Sequence, residues 1–184
     1  MLILKATKVL DLYHQSAFTQ LSHQDSLEAR SSVYHTALTL QNAYMHSGTA
    51  SDLFLRENLE WLGRASNWSK FSATAALGVI HKGHFEQSMV LLGPYLPGAD
   101  ASATSSVYSE GGSLYALGII NAGMGSTRGV ESYLREKLKA SNNEVVQHGA
   151  CLGLGVAGMA GQSHGKPNAL PSKPYVMSGP SRCL

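Results

Sequence analysis

Apolar residues follow two alternating patterns along this chain. In the first pattern they recur at steps of three and four residues, which is the spacing of one face of an α-helix. Three segments show it: Leu55, Leu59 and Leu62; Phe85, Met89, Leu92 and Leu96; and Val130, Tyr133, Leu134 and Leu138. The segments between them are rich in glycine, alanine and serine. The chain is therefore predicted to alternate small-residue helices, called A helices here, with amphipathic B helices.

The small-residue segments are copies of one another. Residues 70–83, 110–123 and 147–160 align without gaps, and a weaker copy lies at 35–48. The three clear copies share a Leu-Gly pair, at Leu77-Gly78, Leu117-Gly118 and Leu154-Gly155, and these pairs are 40 and 37 residues apart. A period of this size is typical of helix-pair solenoids. The prediction is an all-α protein, an α-solenoid of about three and a half repeats with a period of 35–40 residues.

Glycine inside a helix needs a reason, because it costs about 1 kcal/mol relative to alanine. We expect Gly78, Gly118 and Gly155 to allow neighbouring A helices to approach until their backbones touch. The leucines that precede them, Leu77, Leu117 and Leu154, are expected to pack between repeats. The alternative is a β-α repeat in which these segments are strands. Helix is favoured, because the residues before each Leu-Gly pair are small and mostly not β-branched.

The chain divides into three parts. Residues 1–30 are predicted to be a helical lead-in, residues 31–161 the repeats, and residues 162–184 a disordered tail. The tail holds four of the six prolines and no acidic residue. Ser141-Asn-Asn-Glu144 has the form of a capping box that opens the last A helix. No B helix is predicted behind that A helix, so the array is expected to stop in mid-repeat.

The charge of the chain argues against two classes of partner. The formal net charge is +2, but Lys166, Lys173 and Arg182 lie in the predicted tail. Without them, eleven basic residues face twelve acidic ones, and the body carries −1. A nearly neutral body offers no electrostatic footprint for nucleic acid or for an anionic membrane. We therefore predict neither as a partner.

The motifs of catalysis and metal binding are incomplete. Residues 153–158 match the dinucleotide fingerprint GxGxxG, but they lie within a predicted helix and no acidic residue follows for the ribose. His81, His84 and His46 have no cysteine pair or HExxH motif to complete a zinc site. Cys151 lies in an apolar helix, where a thiol usually fills space. The prediction is a protein without cofactor or enzymatic activity, and a nucleotide-dependent enzyme is the rival from another class.

Two tryptophans flank the predicted turn between one B helix and the next A helix. Trp61 lies before this turn and Trp68 after it. Wide aromatic rings at that place are expected to seal the contact between two repeats. An exposed hot spot for a partner protein is the alternative, and packing within the repeats is favoured.

The repeat motifs also carry a resemblance. The stretch 55–84, with Asn58-Leu-Glu-Trp-Leu62 and Gly78-Val-Ile-His-Lys-Gly83, resembles the proteasome/cyclosome repeat family, and the Leu-Gly copies at 117–118 and 154–155 are similar to its later repeats. The resemblance covers about residues 27–161. It implies a toroid of concentric helices in the base of the proteasome regulatory particle. It also implies a non-catalytic scaffold, in the cytoplasm and nucleus, that supports ubiquitin-dependent protein degradation.

The partners that the resemblance implies are the ATPase ring, the lid and the ubiquitin receptors of the regulatory particle. The family's long N-terminal helical region and its C-terminal receptor-docking segment have no counterpart in this sequence. The chain is therefore expected to be a truncated product or a fragment. Two hypotheses remain beside the leading one: a helical-repeat adaptor of the type found in the anaphase-promoting complex or in proteasome non-ATPase subunit 2, and a truncated product without function.

Overall fold

The computed structural model describes residues 32–58, 62–63, 65–98, 106–123 and 129–160. The predicted lead-in at 1–30, the predicted tail at 162–184 and Trp61 lie outside the described residues.

The described residues form two sets of α-helices that alternate along the chain. The A helices are α1 (Ser32–Met45), α3 (Trp68–Ile80), α5 (Val107–Ile120) and α7 (Glu144–Ala157). The B helices are α2 (Leu53–Glu57), α4 (Ser88–Leu92) and α6 (Val130–Ala140). Short 3-10 turns cover Phe85–Gln87, Gly93–Tyr95 and Gly158–Ala160. Within these ranges no residue is in a strand, so the predicted α-solenoid is confirmed and the β-α alternative is wrong.

The A helices stand in a row, and the B helices cover one side of it. α3 packs against α1, α5 against α3, and α7 against α5. α4 contacts α5, while α6 contacts both α5 and α7. The core lies between the two layers, where Leu92, Leu114 and Leu134 are fully buried. A second apolar cluster joins α1, α2 and α3 through Ala43, Phe54 and Ile80.

The turns that end the A helices connect each repeat to the next. Gly48, Gly83 and Gly123 have φ of +70°, +87° and +89°, a region that favours glycine. The Gly48 N–H donates to the carbonyl of Val79 at 3.0 Å, and the Gly83 N–H donates to that of Ile120 at 3.2 Å. The last carbonyls of a helix have no partner inside it. The turn of one repeat therefore satisfies the end of the A helix in the following repeat.

Two local predictions are wrong. The N-cap of α7 is Asn143, whose side chain accepts from the N–H groups of Val145 and Val146, whereas Ser141 Oγ accepts from the Asn143 N–H before the helix begins. The B helix expected from Phe85 to Leu96 is α-helical over only five residues, because 3-10 turns flank it on both sides. The change of helical pitch turns Met89 outward, and its side chain is 48% exposed.

Candidate functional site

Three of the four described A helices, α3, α5 and α7, are held together by contacts between their backbones. A Cβ placed on Gly78 would lie 2.5 Å from the Cα of Ala116, and one on Gly118 would lie 2.7 Å from the carbonyl carbon of Gly153. Both distances are shorter than any real side chain tolerates. α3, α5 and α7 therefore approach one another at positions where only glycine fits.

A second tier of such contacts lies about two helical turns closer to the N-terminal ends of the same helices. A Cβ on Gly112 would lie 2.5 Å from the carbonyl oxygen of Phe71, and one on Gly111 would lie 2.6 Å from that of Val145. Gly149 of α7 meets the backbone of Gly111. None of these three glycines was a predicted contact residue. The available signal was the seven-residue spacing between Gly111 and Gly118, because it places both on the side of α5 that faces α7, whereas Gly112 lies on the side that faces α3.

The expectation for Gly155 needs a correction. It aligns with Gly78 and Gly118, but a Cβ there would meet no described atom within 4 Å, and the glycine of α7 that meets α5 is Gly153. Gly78 and Gly118 both face the A helix that follows them. The residue that faces back lies two positions earlier in each repeat, at Ala116 and Gly153. Gly155 therefore points away from α5.

Gly155 lies at the centre of a face of the last described A helix that no other described helix covers. We call this surface the open face of α7 and define it by residues at helical spacing on the side away from α5. They are Cys151, Leu152, Gly155 and Met159. Met159 is 82% exposed, and Cys151 and Gly155 are also exposed. Partial burial raises the pKa of the Cys151 thiol, so the thiol stays protonated at neutral pH and is a poor nucleophile.

The three leucines of the Leu-Gly pairs point toward the B helices. Leu117 is 1% exposed within the core between the layers, and Leu77 and Leu154 are partly buried against the same core. Adjacent residues on a helix point in directions about 100° apart. The first two Leu-Gly pairs therefore each serve two contacts, with the leucine on the B layer and the glycine on the next A helix.

An aromatic cluster covers the N-terminal ends of three A helices. The ring of Trp68 lies 5.3 Å from Phe71 of its own helix, and 5.5 Å from both Tyr108 of α5 and His148 of α7, measured between centroids. Tyr115 stacks on Phe71 at 6.3 Å. These are the separations of favourable aromatic pairs. Trp68 thus joins α3, α5 and α7, yet it remains 51% exposed.

The dinucleotide motif has no geometry for a phosphate. Residues 153–158 occupy the second half of α7 and its C-cap, nine or more residues after the helix begins at Glu144. A phosphate site of this kind needs free N–H groups at a helix N-terminus, whereas these N–H groups lie inside the helix. No three His, Cys, Asp or Glu side chains among the described residues are placed to hold a metal ion. None of the described helices has the length and apolar character needed to cross a bilayer.

Comparison with known sequences identifies the relatives of the chain. No family model matches it. It is 59% identical over 137 residues to the 26S proteasome regulatory subunit rpn2 of Schizosaccharomyces pombe, which covers 74% of this chain and 14% of that protein. It is 56% identical over 136 residues to the 26S proteasome non-ATPase regulatory subunit 1 homolog A of Arabidopsis thaliana, covering 74% of the chain and 13% of that protein. The chain is homologous to 26S proteasome non-ATPase regulatory subunit 1.

Other members of this proteasome subunit family match in the same way. The 26S proteasome non-ATPase regulatory subunit 1 of Drosophila melanogaster is 56% identical over 130 residues, which are 71% of this chain and 12% of that protein. The chain thus spans about one seventh of the length of these curated relatives or slightly less. The relatives are named as regulatory subunits of the proteasome.

Proposed function

We propose that this chain is a non-catalytic scaffold segment of the base of the proteasome regulatory particle, where it supports ubiquitin-dependent protein degradation through contacts between proteins. The proposed partners are other regulatory-particle subunits, namely the ATPase ring, the lid and the ubiquitin receptors. The proposed location is the cytoplasm and nucleus. Homology to regulatory subunits of the 26S proteasome supports the assembly, and the repeat geometry supports the mode of action.

One observation carries the proposal. The open face of α7 repeats the arrangement by which Gly78 contacts α5 and Gly118 contacts α7, with Gly155 at the equivalent position. A surface built in the same way as two occupied interfaces is suited to a third contact of that kind. It exposes apolar and small residues in continuous order along the helix, from Cys151 and Leu152 to Met159. Binding through this face needs no catalytic group and no cofactor.

Co-purification tests the proposal directly. The whole chain is expressed with an affinity tag in eukaryotic cells, and the captured material is examined for proteasome ATPases and lid subunits. Gly155→Leu, which fills the open face, is expected to reduce their recovery at least several-fold. Gly93→Leu is the matched control, because Gly93 also has no atom within 4 Å of a Cβ but lies in the B layer.

Three outcomes would contradict the proposal. Recovery of the anaphase-promoting complex instead of the proteasome would support the hypothesis of a helical-repeat adaptor of another assembly. Recovery of neither assembly would indicate a product without this function. Equal loss of proteasome subunits in Gly155→Leu and Gly93→Leu would show that the open face of α7 is not the surface used.

A further inference from the structure

A buried histidine closes the junction between the first two described repeats. His81 ends α3, and its backbone N–H donates to the carbonyl of Leu77 at 3.0 Å. The residue is 7% exposed. Its Nε2 makes no hydrogen bond and lies 3.6 Å from Oδ2 of Asp52, which precedes α2. That separation is longer than a hydrogen bond. It is short enough for an ion pair when the imidazole is protonated.

The carboxylate that faces His81 is already engaged. Arg56 Nε donates to Asp52 Oδ1 at 2.8 Å, with the Arg56 side chain 68% and the Asp52 side chain 12% exposed. On the other side, the ring of His84 lies 6.4 Å from that of His81. The loop at 47–50, which hydrogen-bonds to the end of α3, contains no titratable side chain. Asp52, Arg56 and His84 are therefore the groups whose charges act on His81 among the described residues.

Burial is the dominant influence on this imidazole. Desolvation lowers the pKa of His81 below its ordinary value, and His84 and Arg56 lower it further, while the charge of the nearby Asp52 carboxylate raises it. Its folded-state pKa is thus below the unfolded value of about 6.5. Below that pH the unfolded chain binds more protons than the folded chain, so stability falls as the pH decreases. The loss begins near the unfolded pKa and ends once the pH is below the folded pKa.

We propose that His81 and Asp52 form an acid-sensitive latch between the B helix of one repeat and the A helix of the next. At neutral pH the uncharged imidazole packs in the junction and Asp52 stays paired with Arg56. Protonation places a charge in a buried site, where the single nearby carboxylate is shared with Arg56. Opening the junction returns the imidazolium to water. The N–H groups of Gly48 and Ala50, which donate to Val79 and Ile80 at 3.0 Å, would be released with it.

The following repeat has no titratable residue at the position of His81. Asn121 holds the position of His81 at the end of α5, and its Nδ2 donates to the carbonyl of Leu117 at 2.9 Å. An amide does not titrate in this range, and here it also satisfies a helix carbonyl. The chain therefore contains its own comparison: one repeat junction with a titratable residue at this position and one without.

Hydrogen exchange provides the first test. Protection factors of backbone amides, corrected for intrinsic rates, are measured in the whole chain between pH 7.5 and 5. Protection at Gly48 and Ala50 is expected to fall at least several-fold on acidification, whereas protection at Gly83, which donates across the next junction to Ile120, is expected to change much less. Equal losses at all three amides would overturn the proposal, because they would report general acid unfolding.

Proton NMR titration of the His81 ring provides the second test. The midpoint is expected below that of a free histidine, and Asp52→Asn is expected to lower it further. His81→Asn, which installs the residue of the next repeat, is expected to remove the acid-dependent loss at Gly48. A midpoint at or above the free value, no effect of Asp52→Asn, or unchanged acid sensitivity in His81→Asn would each contradict the latch.

Discussion

The first and last described A-helix junctions have the same architecture but different chemistry. Between α5 and α7, glycines bring the two backbones into contact, at Gly118, Gly149 and Gly153. α1 contains no glycine, and its buried surface is largely polar. His35, Thr39 and Asn42 of α1, and His46 directly after it, are each at most 4% exposed, beside the apolar Leu38 and Ala43. One solenoid therefore closes its junctions in two ways.

The difference concerns what each helix requires from its neighbour. α1 consists of residues with side chains, and Thr39 Oγ1 donates to the carbonyl of His35 inside the helix at 2.6 Å. α5 has Gly111, Gly112 and Gly118, each of which costs about 1 kcal/mol of helix propensity. Close backbone contact offsets that cost through dispersion, and it is available only when the next helix is in place. Glycine-rich A helices are thus more dependent on the row than α1 is.

The largest expected effect on stability comes from a substitution that disrupts the backbone contact between α5 and α7. Gly118→Leu forces a side chain into the backbone of Gly153, which cannot rotate away. The free energy of unfolding is expected to fall by about 3 kcal/mol, the upper end of the usual range for overpacking. Urea unfolding measures it. Gly155→Leu is the matched control on the open face of α7, with an expected change within about 1 kcal/mol. Equal losses in the two variants would contradict the contact.

Replacing a buried alanine of α1 by glycine is expected to have the second largest effect on stability. Ala43 aligns with Gly78 and is 1% exposed, so its methyl group fills space that Gly78 leaves to a backbone. Ala43→Gly is expected to destabilise the chain by about 2 kcal/mol, the sum of helix propensity and one buried methyl group. Ala37→Gly, at an exposed position of the same helix, isolates the propensity part at about 1 kcal/mol. If the two variants lose the same stability, Ala43 does not pack as described.

The sequence predicted the order of the helices well and their mutual register less well. Repeated Leu-Gly pairs and three- and four-residue steps are properties of single helices, and these predicted the A and B layers. The partner of Gly118 is Gly153 and not Gly155, because that contact depends on how two helices cross. Met89 and Ser141 were misassigned for local reasons: a 3-10 turn changes the pitch before Met89, and Asn143 competes with Ser141 for the cap.

Removing the N-terminal cap of α5 is expected to have a smaller effect on the free energy of unfolding, about 1 kcal/mol. Ser106 Oγ accepts from the N–H of Ser109 at 3.2 Å and so satisfies one of the free donors of α5. Ser106→Ala is expected to lower the free energy of unfolding by about 1 kcal/mol. Ser132→Ala, on the exposed side of α6, is the control, with a change within about 0.5 kcal/mol. A loss at Ser132 as large as that at Ser106 would mean that the cap is not the cause.

The smallest effect has the opposite sign and concerns the open face of α7. Gly155 lies in the α-helix with no described atom within 4 Å of a Cβ. Gly155→Ala should therefore gain helix propensity without a clash, and we expect the isolated chain to become more stable by about 0.5–1 kcal/mol. Gly118→Ala is the comparison, and it is expected to destabilise, because its Cβ meets the backbone of Gly153. Thermal or urea unfolding of both variants measures the difference in sign.

Measuring Gly155→Ala in two settings sharpens the comparison further. In the isolated chain only helix propensity acts at this position, so the variant is more stable. If another protein packs on the open face of α7 as α7 packs on α5, the added methyl group lies in that contact, and the same variant should recover fewer proteasome subunits in co-purification. A gain in stability together with unchanged recovery would place the partner on another surface. A loss of stability in the isolated chain would mean that Gly155 already has a packed neighbour.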